Sequence, residues 1–284
     1  MTVVACLKWV DHKPDVDPLT GAVRTDWRTS GLSDADRAAL EWALRLGGEW
    51  GEPVVAVSAG PAAADAVLVD ALSAGATRAV RVELPLSAPS DTVARAIAGA
   101  VGPRPRLVLC GVWSLDRGSG SVPAFLAAEL GAAQALGLVS LSADAASDGA
   151  ASDGAASDGA VLAERRLDRG ARERLRVPLP AVCSVEGASA RLRRAALPGV
   201  LSATRAAIEV VPATTGAVAA LPVRTGPFRP RARALPAPAS PSARERVLEL
   251  TGALSHREPP QTLYLEPAVA ARELLARLEA WGYR

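Results

Sequence analysis

The strand-like run Leu107–Cys110 delivers the chain into GVWSLDRGSGSV, where Gly111, Asp116, Gly118 and Gly120 precede the helical pattern of Ser121–Leu130. Those residue types at that spacing suit the holding of an anion. Glycine lets the main chain approach a phosphate closely, and the unpaired N–H groups of a first helical turn point at it. An ordinary strand-to-helix crossover also needs glycines to make its turn, so the loop alone leaves both readings open. Other chemistry is scarce. Cys6, Cys110 and Cys183 lie far apart in apolar runs with no C-x-x-C, which suits buried, reduced thiols in a cytoplasmic protein. With only His12 and His256 present, a Ser-His-Asp triad and a histidine-rich metal site are both poor readings. Asp11, Asp15 and Asp17 imitate a calcium loop but lack its glycine and distal glutamate, so they are expected in a solvated loop. No catalytic and no metal-ligating residue is expected.

Composition sets the limits. The 284 residues suffice for one large domain, or one domain with an appendage. Half the chain is hydrophobic yet aromatics are few, so the core is expected to be built from valine, leucine and alanine. A net charge of +2 offers no hint of a nucleic-acid face. There is no signal-like segment and no transmembrane-length apolar run, so a cytoplasmic protein is expected.

The elements that must position the loop follow from periodicity. Thr2–Val10 reads as a buried first strand, and Asp11–Ser30 as a long loop with a small hairpin. Ser33 followed by Asp36 is close to a capping box, opening a helix with Leu40, Ala43 and Leu44 in its buried stripe and Gly47-Gly48 at its end. Strand Pro53–Ser58, helix Ala62–Ala74, strand Arg78–Glu83 and helix Asp91–Val101 capped by Ser90 come next. The glycine loop and its helix then lead to strand Ala135–Leu141. Such alternation is the signature of an α/β doubly wound, mostly parallel sheet, whose ligands sit beyond the strand carboxyl ends where strand order reverses. Ala146–Ala160, three copies of ASDGA, cannot bury a face and reads as a disordered insertion.

Val161–Leu167 and Glu173–Val177 then read as a β-hairpin extension, and Pro178–Glu186 and Ala207–Val211 as strands. Between those strands, Ala190–Arg205 is basic and interrupted by Pro198-Gly199. Its Arg191, Arg193, Arg194 and Arg205 could steer an acidic partner or simply face solvent. Residues 1–211 are expected to form one domain. Residues 212–284 are expected to form a Pro/Arg-rich C-terminal arm, with a helix at Ala243–Leu250, a strand at Thr262–Leu265 and an amphipathic helix at Pro267–Trp281.

Taken in order, VVACLKWV, ALEWALRL, VAVSAGPA, LSAGATRAVRV, LVLCGVWSLDRGSGSVPAFLAAELG, LAERRLDRGARERLRVPLPAV and RLRRAALPGVLSATRAAIEV resemble the beta subunit of an electron transfer flavoprotein over Val3–Val211. The resemblance implies an adenine-nucleotide-binding, flavodoxin- or Rossmann-like fold. It also implies a heterodimer with an alpha subunit that holds the redox FAD, while this chain binds AMP, or a second FAD in bifurcating relatives. Such a subunit carries electrons from a donor dehydrogenase and is not itself a catalyst. Carried over by position, the nucleotide site comprises Cys6, Ser33, Asp34, Ala35, Asp36, Ala59 and the Gly111–Val122 loop with Asp116, Gly118, Ser119, Gly120, Ser121 and Val122. Leu197, in AALPGV, matches the leucine that docks in the partner dehydrogenase. The chain departs from the family at Ser33-Asp34, usually Asn-Pro, at Thr77, usually an acid, and at Asp168-Arg169-Gly170, usually Asp-Gly-Gly. The polar residues of the phosphate loop are also thinned. The ending LLARLEAWGYR resembles the beta-type subunit found with the mycofactocin redox-cofactor system. Two other readings of the chain are a stand-alone universal-stress-type ATP-binding module and a flavoprotein subunit whose own nucleotide site has decayed.

Overall fold

The computed structural model describes residues 1–102, 105–144, 159–213, 237–252 and 262–282. The ASDGA repeat, up to residue 158, and most of the Pro/Arg-rich stretch lie outside them. The chain divides into two compact units, Met1–Phe228 and Arg229–Arg284.

In the first unit, a nine-stranded sheet is built around β1 (Val3–Cys6). On one side of β1 lie β6 (Val54–Gly60), β7 (Arg78–Glu83) and β13 (Glu209–Pro212). On the other lie β8 (Leu107–Gly111), β12 (Ala181–Val185) and β9 (Ala133–Ala143), and all these strands run parallel. The hairpin β10 (Ala160–Arg166) and β11 (Arg172–Pro178) extends the β9 edge antiparallel. The central strands β1, β6, β8 and β12 are buried on both faces and need apolar side chains at odd and even positions alike, which explains their runs rich in Val, Ala and Leu. Val3 and Ala5 face α1 (Asp34–Trp50) and α2 (Asp65–Ala74) in one core. Val4 and Cys6 face α3 (Ser90–Val101) and α4 (Val122–Leu130) in the other. The three cysteines are free and buried.

Several expected boundaries move, each for a physical reason. The first apolar run is two strands. After Cys6 the chain leaves the sheet, and β2 (Trp9–Asp11) pairs antiparallel with β5 (Ser30–Leu32). The hairpin between them is β3 (Asp15–Val16) with β4 (Val23–Arg24). Asp11 is not a solvated-loop residue. It is buried and closes this excursion by accepting the Thr29 hydroxyl at 2.6 Å and the main-chain N–H groups of Lys13 and Asp26. Led by the Thr29 hydroxyl, those donors hold its carboxyl below the ordinary range.

Helix α1 does not stop at Gly47-Gly48. It continues to Trp50 and is closed by Gly51 at φ +66°. Ser90 is the first residue of α3 and does not cap it, since Pro89 holds the cap position without a side-chain bond. Ala62–Ala64 is a short 3-10 turn that precedes α2. Pro198 and Gly199 do not break a helix but lie in the first turn of α5 (Leu197–Ala203), where proline is tolerated.

In the second unit α6 (Ala243–Thr251) and α7 (Pro267–Ala280) are helical as expected, and α7 has no buried residue. Thr262–Leu265 is not a strand. Its β-prone side chains have no strand to pair with among the described residues.

Gly47 serves packing and not termination. A Cβ there would stand 2.6 Å from Val54 Cγ2 and 3.1 Å from the Glu52 carbonyl, while Gly48 has nothing within 4 Å. The two neighbours should therefore respond with opposite signs in urea unfolding. Gly47→Ala should cost about 1–3 kcal/mol through overpacking, and Gly48→Ala should gain about 0.4–1 kcal/mol through reduced unfolded-state entropy.

Candidate functional site

Strand order reverses at β1. The chain goes from β1 to β6 and β7 on one side and then returns to β8 on the other. The connections on the two sides leave in opposite directions, which opens a crevice at the strand carboxyl ends. A cavity of about 110 Å³ occupies this place. Its lining includes Cys6–Lys8 at the end of β1, Ala59 at the end of β6, and Gly111 at the end of β8. Leu86, Val93 and Ile97 give it an apolar wall.

Asp36 enters from α1. Ser33 caps that helix, accepting the Asp36 N–H at 3.1 Å, and its hydroxyl donates to Asp36 Oδ2 at 2.9 Å. The carboxylate is buried under the end of β8, and a Cβ at Gly111 would lie 2.8 Å from its Oδ1 and 3.0 Å from the Ala35 Cβ. Gly111 is thus the residue that lets α1 close over the strand. Burial pushes the Asp36 carboxyl up to about 6, against hydrogen bonds from Ser33 and the Lys8 main chain. Beside it, hydrogen bonding to Cys6 and then burial raise the Cys110 thiol well above its ordinary value. That makes Cys110 a packing group and not a nucleophile.

The loop after β8 forms the rim. Lys8 Nζ donates to Asp116 at 2.6 Å, tying the end of β1 to the loop. Burial works to raise the Asp116 carboxyl, but hydrogen bonds from Lys8 and Ser114 and the Lys8 charge overcome it and hold it low. Arg117 donates to the Ser87 carbonyl at 2.7 Å, joining the rim to the loop after β7. Gly120 has φ +59°, and a Cβ there would stand 2.5 Å from the Val112 carbonyl oxygen. The glycine is required by the fold of the loop itself, whatever the loop holds. Ser119 and Ser121 sit with hydroxyls 3.1 Å apart at the entry to α4, and Ser121 makes no side-chain cap. Pro123 brings no N–H, so the first-turn donors of α4 are those of Val122 and Ala124, and Ser121 does not cap them.

The residues assigned from sequence divide. Cys6, Asp36, Ala59, Gly111 and Ser119–Val122 line one cavity. Ser33 and Ala35 act indirectly, by capping α1 and by packing under Gly111. Asp116 acts through Lys8. Gly118 has φ +68° and open space around it, so it shapes the turn. Asp34 lines a different groove, of about 640 Å³, with Arg37, Asp70, Arg191 and Arg194. Trp113 and Arg117, inside the Gly111–Val122 loop assigned from sequence, also line the cavity, whereas Lys8, Pro85, Leu86, Ala88 and Ser90 were not assigned to it, although Lys8 directly follows a strand at the carboxyl edge. Arg193 is no free steering charge. Its guanidinium and main-chain N–H both bind Glu41, which also takes Arg45. Leu197 is 70 % exposed at the start of α5.

A family model described as the electron transfer flavoprotein domain matches residues 23–216. This chain belongs to that family. The chain is 30 % identical over 216 residues to "Protein FixA" of Rhizobium meliloti, covering 72 % of this chain and 70 % of the relative. It is 29 % identical to "Protein FixA" of Azorhizobium caulinodans, covering 74 % of each chain. Over 139 residues it is 32 % identical to the electron transfer flavoprotein subunit beta of Clostridium acetobutylicum, covering 47 % of this chain and 54 % of that one. It is therefore a beta- or FixA-type electron transfer protein. Among the described residues, no group of three or more ligand side chains could hold a metal, and no helix is long and apolar enough to cross a membrane.

Asp36 holds its proton more tightly folded than unfolded, so its contribution is present below the unfolded value of 3.8 and lost as pH rises through about 6. Above that range its ionised form is a standing cost. Asp36→Asn should raise stability near pH 8 by about 1–3 kcal/mol and flatten the stability profile between roughly pH 4 and 6, measured by urea unfolding across pH.

Proposed function

We propose that this chain is the beta-type subunit of a heterodimeric electron transfer flavoprotein. It accepts electrons from a flavin-dependent dehydrogenase and passes them towards the respiratory chain. Residues 1–211 act as the nucleotide-binding part and 212–284 as an arm. The ending LLARLEAWGYR supports assignment to the mycofactocin-associated type, working in the cytoplasm. One observation carries the nucleotide reading: the cavity stands at the strand-order reversal, and one loop brings it the first turn of α4.

The residues present fit an adenine nucleotide. Ser119–Val122 and the first turn of α4 would hold a phosphate on main-chain N–H groups, and Leu86, Val93 and Ile97 would cover a base. AMP there is structural. The FAD that accepts and gives electrons is held mainly by the alpha subunit, so this chain's work is to position, shield and dock. Lys8 and Arg117 pin the rim to the ends of two strand connections and hold the phosphate loop in shape. Leu197, with Leu201 exposed one turn on, presents an apolar tip to the donor dehydrogenase.

Co-purification with the neighbouring flavoprotein chain should give a heterodimer whose denatured extract releases AMP as well as FAD. A chain that stays monomeric and binds ATP tightly would instead be a stand-alone nucleotide module. A heterodimer yielding FAD alone would indicate a decayed site. Leu197→Ala should slow electron transfer from the donor about tenfold or more, as for loss of an interface anchor, with flavin content unchanged. Loss of flavin would show that Leu197 is structural.

A further inference from the structure

Between Gly187 and Ile208 the chain carries four arginines and no acid, although its overall charge is nearly balanced. Leu197 stands in the middle of this stretch. The structure gives the four arginines different work. Arg193 is spent on Glu41. Arg205 lines a recess of its own beside Leu201. Arg191 and Arg194 line the groove of about 640 Å³ bounded by α1, α2 and the segment that leads into α5. Neither makes an ion pair among the described residues.

That segment is held on both sides of Arg194. Glu41 fixes Arg193, and Gly199 lets α5 press on the last turn of α2, since a Cβ there would stand 3.0 Å from the Ser73 carbonyl oxygen. A main chain held in this way lowers the cost of ordering Arg194 on binding. The other wall of the groove is different. Arg37 on α1 faces Asp70 on α2, whose carboxyl is raised by burial while the Arg37 charge opposes the rise, and Asp34 lines the same wall. The unanswered cations therefore belong to the segment beside Leu197. Guanidinium groups suit carboxylates, which they can bind through two parallel hydrogen bonds. A concave recess suits a protruding protein segment better than a flat lipid surface.

We infer that this groove receives an acidic segment of the protein on which Leu197 docks, with Asp or Glu side chains pairing with Arg191 and Arg194. The inference rests on the docking role proposed for Leu197. It adds the chemistry of the partner, an apolar socket with carboxylates beside it.

The test uses the nitrogen-15-labelled full chain and, as the probe, an acidic hexapeptide of Glu and Asp, with its Gln and Asn counterpart as control, read by NMR shifts. The acidic peptide should shift signals around Arg191, Arg194 and the start of α5, and the amide peptide should not. Arg191→Gln with Arg194→Gln should weaken binding about fivefold or more, as should raising NaCl from about 50 to 300 mM. Arg24→Gln with Arg28→Gln removes the same charge from the β3–β4 excursion and should change nothing. Equal loss in both double variants, or shifts spread over arginines of the whole chain, would mean general attraction of polyanions and overturn the inference. Binding of phosphatidylserine vesicles in place of the peptide would overturn it too. The wild-type shift map stands whether or not a variant folds. In electron transfer from the donor to the heterodimer, the arginine double variant should slow the second-order rate about fivefold and flatten its dependence on salt. If Leu197→Ala slows that reaction and the arginine variant does not, the docking role stands and this inference falls. If neither slows it, both fall.

Discussion

The close approach of α1 to the end of β8, permitted by the absence of a side chain at Gly111, is the constraint on which the rest of the site depends. It brings Ala35 and Asp36 against the strand and closes the crevice from below. The reversal of strand order at β1 opens that crevice, because the connections on either side of β1 leave in opposite directions. Without the glycine contact the opening would have no floor. The cavity is therefore a joint product of topology and one tight backbone contact, and not of a loop motif acting alone.

The chemistry of the cavity is uneven, and the unevenness is informative. Its floor holds a buried acid, its wall is aliphatic, and its rim carries two cations that are already engaged, Lys8 with Asp116 and Arg117 with the Ser87 carbonyl. Engaged cations shape a rim more than they attract ligand, so in the proposed nucleotide site the main-chain donors at α4 would carry the burden of holding a phosphate. Backbone N–H groups and a helix terminus supply the donors, and Gly120 lets the loop fold down against Val112.

Much of the fold was legible because parallel strands buried on both faces cannot avoid long apolar runs, and the limits of Arg78–Glu83 emerged as read. What escaped was tertiary. Nothing between Cys6 and Trp9 breaks the β pattern, and the partner that draws β2 away, Ser30–Leu32, lies some twenty residues on. Gly47 looked like a helix end because glycine often is one, whereas its reason is the methyl of Val54 crossing beside it. The site was legible where a residue directly followed a strand, as Ala59 and Gly111 do. It was not legible where the distant loop after β7 brings side chains in, as for Leu86 and Ala88, nor where Ser33 and Ala35 serve from behind.

Helix α1 has a second attachment at its far face. Glu41, one turn beyond Asp36, grips Arg193 through its side chain and main chain, and Trp42 donates to Ser189 at 3.2 Å. The segment so gripped runs on to Leu197. The floor of the cavity and the root of the exposed leucine are thus bolted to successive turns of one rod. The cavity floor and the segment that leads to Leu197 share that one rigid element as their anchor.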